Sequence, residues 1–351
     1  MEPNIFQIIW FVLWGVLWSF YFMTDGFVLG TGFMSGFLAK NDTERRVLIN
    51  TVGPVWDGNE VWLVTAGGAT FAAFPTTYAL MFSNLYTALL LLLFALIVRG
   101  VAFEFRGKID SPAWKGGWDS AITISSFLPA LLFGVAFGNI FKGIPMRNDF
   151  ANVDFAYDGS LLTLLNLYGL LTGVLFVLLF AVHGSLYAAI KTTGELSDRA
   201  AAMANKLWFP LLVVAVAFLA YTYPATRLYD NYLKTPVLLI IPLIAVASLL
   251  LIKLCASQAK LHKAFLFSCL TIVFVCYTGV TGLFPNLIPS SIDPASNLTI
   301  YNSSSSLLTL QIMTGVAVIF VPIVIVYKIW VYRIFRARVT NEDVLGSHEA
   351  Y

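Results

Sequence analysis

Six ionisable side chains stand in stretches that otherwise read as membrane hydrocarbon: Asp25, Asp57, Glu60, Arg99, Glu104 and His183. A charge near the centre of a membrane helix costs about 2.5–3.5 kcal/mol on insertion scales, so each is a candidate for function. Asp57 and Glu60 lie one helical turn apart in GPVWDGNEVWL, residues 53–63. Three chemistries suit such a cluster. Partly desolvated carboxylates can relay protons; the same acids can hold a cation or a transported substrate; or Arg99 can pair with one acid and pin three helices together. Asp25, Asp57 and Glu60 outnumber the one buried arginine, and that negative surplus favours protonation or cation binding over a neutral pair. Glu104 is close enough to the membrane margin to be solvated.

His183 is the only histidine inside an apolar run, because His262 and His348 fall in polar segments. With no second helix-borne histidine for bis-histidine ligation, it is expected to be a hydrogen-bonded interior group, and the chain alone is expected to bind no haem and no metal. Cys269 and Cys276 are about 10 Å apart along one helix, too far to bridge, and with Cys255 they imply no disulfide. GxG at 30–32 follows no strand and is no nucleotide fingerprint, and phosphate-loop, zinc-protease and nucleophile-elbow motifs are absent.

The elements that position these groups are membrane helices. Hydrophobic residues make up 59% of the 351 and charged residues 11%, and the mean hydropathy is +0.81, outside the range of soluble domains. Apolar runs long enough to span a bilayer lie near residues 5–37, 51–74, 77–105, 119–141, 160–190, 204–223, 236–254, 264–284 and 306–332. The first is too long for one upright span and lacks a cleavage site, so it reads as a tilted helix. Run length and the lack of period-two alternation exclude a β-barrel. The expected fold is all-α integral membrane, nine transmembrane helices in a single domain over 1–351.

Charge sorting gives the orientation. Of the 21 lysines and arginines, all but Lys142, Arg147, Arg227 and Lys234 fall in the odd-numbered connections, the adjoining helix ends and the C-terminal tail, which predicts N-out/C-in. Asp57, Glu60, Arg99 and Glu104 then cluster on the cytoplasmic side, with Asp25 between them and mid-membrane. GVAFGNIFKGIP (134–145) and GVTGLFPNLIP (279–289) resemble one another at the outer ends of the fourth and eighth runs. They suggest two parallel four-helix units, 5–145 and 160–290, with a ninth helix over 306–336. Gly26 with Gly30, and Gly32 with Gly36, are small-xxx-small pairs suited to close helix packing. In KNDTERR, Asn41 followed by Glu44 reads as a capping box.

Six segments carry a family resemblance: TDG at 24–26, NDTERR at 41–46, WDGNEVWL at 56–63, AGGATFAAFP at 66–75, RGVAFEFR at 99–106 and LFPNLIPSS at 283–291. Together, over residues 20–340, they resemble subunit II of the cytochrome bd quinol oxidases. That resemblance implies a haem-free subunit beside a partner, subunit I, that carries haem b, haem d and the quinol-oxidation site. The complex would sit in the bacterial inner membrane, oxidise quinol on the outer side and reduce dioxygen to water with protons from the inside.

It further implies that Asp57 is the inlet carboxylate and Asp25 a second acid of the proton path, with Arg99, Glu60 and Glu104 in support. Trp62 would line a route for oxygen from the lipid, and Trp56 and Arg99 are candidates for contact with a bound quinone, as in some members. An additional small subunit accompanies some members too. The family often reads TDGFD, whereas this chain has Val28 at the last position, so a path that needs that acid must differ here. The partners expected are subunit I, membrane lipid and quinol, with no nucleic acid. The competing reading is a stand-alone proton-coupled carrier, which should show broken helices flanking a central site.

Overall fold

The computed structural model describes residues 4–150 and 154–346, Asp154 by its backbone alone. In chain order the elements are α1 (Ile5–Leu38), α2 (Asp42–Val52), α3 (Trp56–Ala73), α4 (Pro75–Asn84), α5 (Tyr86–Phe105) and α6 (Pro112–Lys142), then β1 (Met146–Asp149) and β2 (Asp154–Tyr157). There follow α7 (Leu161–Leu164), α8 (Leu167–Lys191), α9 (Gly194–Ala225), α10 (Tyr229–Lys234), α11 (Ile240–Ser257) and α12 (Leu261–Leu283). The chain closes with β3 (Asn286–Ile288), β4 (Leu298–Thr299), α13 (Ile300–Ser303), α14 (Leu307–Ile334) and α15 (Asn341–Gly346).

Eight helices among the described residues are long and apolar enough to cross a membrane: α1, α5, α6, α8, α9, α11, α12 and α14. The remaining expected span is α3, whose 18 residues rise about 27 Å at 1.5 Å each. Its acids, glycines and threonines make it less apolar than the others. Two of the expected runs are broken. The run at 51–74 becomes helical as α3 only from Trp56, because Pro54 supplies no N–H. The run at 77–105 is cut at Leu85 into α4 and α5. Among the described residues four short strands stand outside the helices.

Two glycine pairs let α1 serve as the central helix, each facing a different neighbour. Gly26 and Gly30 face α8, where a Cβ on Gly30 would overlap the Phe180 carbonyl and come within 2.9 Å of Gly184 Cα. Gly32 and Gly36 face Ser126 and Thr123 of α6. The backbones therefore approach without intervening side chains, and Thr31 Oγ1 donates to the Gly184 carbonyl at 3.2 Å across the first contact.

At one end of the bundle the two similar segments meet. The Ile144 N–H donates to the Pro289 carbonyl at 3.0 Å and the Ser291 N–H to the Ile144 carbonyl at 2.9 Å, joining the ends of α6 and α12 beyond Gly143, whose φ of 92° lies in the left-handed region. The β1–β2 hairpin packs here, with the Asn148 amide N–H donating to Ser296 Oγ at 2.9 Å.

The opposite end is rich in lysine and arginine and held by ion pairs. Arg106 bridges Asp119 (2.5 Å) and Asp42 (2.7 Å), and Asn41 caps α2 by accepting from the Glu44 N–H at 2.9 Å. The expected capping box is only half formed, because the Glu44 carboxylate turns away to accept from the Lys40 N–H at 2.7 Å and to pair with Arg199 at 2.5 Å. Burial pushes the Glu44 carboxyl up, but the Arg199 hydrogen bond and then the Lys40 N–H outweigh it and hold it below the usual carboxylate range. A carboxyl depressed in the folded state adds stability that is fully present above its unfolded value and is lost as pH falls through its folded value. Thermal melts of the purified protein are therefore expected to weaken below about pH 4, with Glu44→Gln flattening that slope. An unchanged slope in the variant would remove Glu44 from the account.

Candidate functional site

The site is built where α1, α3 and α5 meet. Arg99 on α5 has no exposed surface, and its guanidinium reaches two helices. Its Nη1 donates to both carboxylate oxygens of Asp25 on α1 at 3.2 Å, and its Nη2 donates to Glu60 Oε2 on α3 at 2.7 Å. The Tyr21 hydroxyl, one turn before Asp25, donates to Asp25 Oδ2 at 3.0 Å. Asp25 is as fully buried as Arg99, whereas the Glu60 side chain keeps 23% of its exposure, so Glu60 is the most exposed member of the triad. Sequence reasoning considered one acid pairing with Arg99; the planar fork instead holds two.

Beside the triad, Asn59 is completely buried. Its amide Nδ2 donates to the Thr24 carbonyl at 2.8 Å. Its Oδ1 accepts from Lys328 Nζ at 3.1 Å and from the Tyr332 hydroxyl at 2.7 Å, both on α14. One amide thus joins α1, α3 and α14 at the level of Asp25. Tyr21, Asn59, Lys328 and Tyr332 were not expected here. The signals available were polar residues recurring at i, i+4 in apolar helices, Tyr21 with Asp25 and Lys328 with Tyr332, and an amide set next to an acid in DGNE.

Asp57 is placed differently from its expectation as a buried acid. Its side chain is exposed in the first turn of α3, on the wall of a cleft of about 810 Å³ between α3 and α14. Trp56, Trp62, Glu104, Lys328 and Tyr332 also line it. The structure therefore separates the acids into an interior pair, Asp25 and Glu60, and an exposed one, Asp57, three residues before Glu60 on the same helix. Trp62 is 6% exposed and packs on Phe20, with ring centroids 4.5 Å apart. Glu104 is exposed at the end of α5. Arg99 is sealed from the cleft, and Trp56 packs against Phe103 at 5.8 Å. Val28 is fully buried among Phe27, Ile49 and Val52, as part of the apolar core.

His183 lies on α8, away from the acids. Its ring nitrogens are both engaged, Nε2 donating to the Met23 carbonyl at 2.9 Å and Nδ1 bonded to Ser268 Oγ at 2.6 Å, and it stacks on Phe265 at 4.7 Å. A histidine committed on both nitrogens does not fit the role of haem ligand. Among the described residues no group of three or more His, Cys, Asp or Glu is arranged to hold a metal, and the three cysteines are free. His348 lies outside the described residues.

Comparisons with known proteins agree with this architecture. The family model described as cytochrome bd terminal oxidase subunit II matches residues 6–335. The chain is 39% identical to the cytochrome bd-I ubiquinol oxidase subunit 2 of Escherichia coli strain K12, across all of both chains. It is 36% identical to the cytochrome bd ubiquinol oxidase subunit 2 of Bacillus subtilis strain 168, over 95% of this chain and 97% of the relative. Its fold is shared with a chain of the bd oxidase from Geobacillus thermodenitrificans, with a TM-score of 0.74 and 16% identity over 95% of this chain and 99% of the other. These relatives are subunits of quinol:oxygen oxidoreductase complexes. A match over nearly the whole length shows that the chain belongs to the cytochrome bd terminal oxidase subunit II family.

Proposed function

We infer that this chain is the haem-free subunit of a bacterial inner-membrane quinol oxidase, and that its acid site is a proton inlet from the lysine- and arginine-rich side. The reading takes that side as cytoplasmic, N-out/C-in, and takes the haems and the quinol site to be in subunit I. The observation that carries it is the division of acids: an exposed carboxylate, Asp57, precedes by one turn a partly exposed one, Glu60, which shares Arg99 with a fully buried one, Asp25.

The graded burial gives a direction. Asp57 takes a proton from water in the cleft, Glu60 receives it across one helical turn, and Asp25 holds the innermost position, with Tyr21 hydrogen-bonded to it. Arg99 halves the negative charge of the interior acids, which low-dielectric surroundings would otherwise penalise further. Trp62, packed from α3 against Phe20 of α1, suits an apolar wall along which oxygen could enter from lipid. A quinone held in the cleft would meet Trp56, since Arg99 is spent on carboxylates. The similar segments at the ends of α6 and α12 suit a repeat of two four-helix units with α14 added.

Asp57→Asn tests the inlet. Oxygen consumption by the assembled oxidase is expected to fall roughly tenfold or more, while the reduced-minus-oxidised haem spectrum of the complex is retained. Full turnover with normal proton uptake in the variant would remove Asp57 from the path.

A further inference from the structure

The ninth helix brings a cation into the acid site. Lys328 stands in the apolar stretch VPIVIVYKIWVY (321–332), is partly buried, and points inward to Asn59 Oδ1 at 3.1 Å. It lines the same cleft as Asp57, and Asp25 and Asp57 both lie within its electrostatic range. A Cβ on Gly58 would come within 2.9 Å of its Nζ, so the ammonium lies against α3 at the residue that follows Asp57.

We propose that Lys328 is a positioning residue of the proton inlet: held by Asn59, its ammonium sets how tightly Asp25 and Asp57 hold protons. The proposal rests on the inlet reading for its effect on turnover and on the geometry alone for its effect on the carboxylates. The charged and titratable groups facing the site are Asp25 and Tyr21 from α1, Asp57 and Glu60 from α3, Arg99 and Glu104 from α5, and Tyr327, Lys328 and Tyr332 from α14. Arg99 and Lys328 set against Asp25, Asp57 and Glu60 leave one negative charge in surplus; without Lys328 the surplus doubles. A nearby positive charge favours the ionised carboxylate, so its removal makes the acids hold protons to higher pH.

Two parts of the contact can be separated by mutation. Lys328→Gln removes the charge and keeps an amide donor for Asn59. Tyr332→Phe removes the other hydrogen bond to Asn59 Oδ1 and changes no charge. In the assembled oxidase, the pH titration of the infrared carboxyl bands is expected to move about one unit upward in Lys328→Gln, to return in Lys328→Arg and to stay in place in Tyr332→Phe. The alkaline limb of oxygen consumption should move with the bands.

Bands that move while turnover does not would uphold the charge effect and sink the inlet reading instead. Bands that stay put in Lys328→Gln would overturn the proposal, as would an equal shift in Tyr332→Phe, which would assign the effect to helix position. Should Lys328→Gln fail to assemble, Lys328→Met is measured in its place. Failure of both, with Lys328→Arg assembled, would make Lys328 a structural latch and overturn the proposal as well.

Discussion

Arg99→Ala is expected to reduce the assembled complex in the membrane by tenfold or more. The substitution removes the only cation among the described residues within salt-bridge distance of Asp25, whose side chain has no exposed surface, and the partner of Glu60. Breaking a buried ion pair from one side costs about 3–5 kcal/mol, because the surviving charge is left without water or partner, and folded proteins hold a margin of only about 5–15 kcal/mol. Asp25→Asn should be milder, since Arg99 still has Glu60 and the new amide can accept from Tyr21 and Arg99. The double variant Asp25→Asn/Arg99→Ala should recover part of the loss, a coupling that a double-mutant cycle measures directly. Quantifying membrane-inserted complex and its thermal midpoint in detergent decides the matter. Equal yields for Arg99→Ala and Asp25→Asn would mean that the guanidinium is not what stabilises the three-helix junction.

Gly30→Val is the second change with a large expected effect. The new side chain would collide with backbone, the Phe180 carbonyl and Gly184 Cα, so no side chain can swing aside to accommodate it. α1 and α8 would have to separate. Overpacking of a core costs about 1–3 kcal/mol when neighbours can shift, and a backbone obstacle puts this case at or beyond the top of that range. The separation would also stretch the bond from Thr31 Oγ1 to Gly184 and the bond from His183 to the Met23 carbonyl, two residues before Asp25. The expected result is loss of assembled complex comparable to that of Arg99→Ala. Gly68→Ala is the control: nothing lies within 4 Å of its Cβ, and it should assemble normally. Normal assembly of Gly30→Val would show that the α1–α8 contact is looser than drawn.

The sequence was most informative where burial is expensive. Asp25, Glu60 and Arg99 stood out because charge in an apolar run demands a partner, and the structure brings these three together. The glycine pairs of α1 were legible for the same reason, since their spacing puts them on helix faces. Neutral polar residues carry no such signal: Tyr21 and Asn59 hold the junction together, yet in sequence they look like ordinary helix positions. Lys328 was read as part of the positive end, because hydropathy locates a lysine along the helix axis but not around it. Asp57 was misread as buried because the helix phase of α3 is set by the break at Pro54, and the apolar run conceals that break. The strands near Ile144 and Ser290 were invisible for want of any periodic pattern.

The clasp between α14 and Asn59 also bears on how the protein is made. Ribosomes deliver the N-terminal helices first, so α1, α3 and α5 can enter the bilayer and form the Asp25–Arg99–Glu60 junction long before residues 328 and 332 exist. Until α14 is inserted, the Asn59 oxygen lacks both of its donors, and α1 and α3 lack the neighbour that forms the other wall of the cleft. A chain truncated before α14 would therefore keep the Asp25–Arg99–Glu60 ion pairs but leave the Asn59 oxygen without these two donors. The late-made α14 thus completes the polar contacts of Asn59 only after the acid junction has its members.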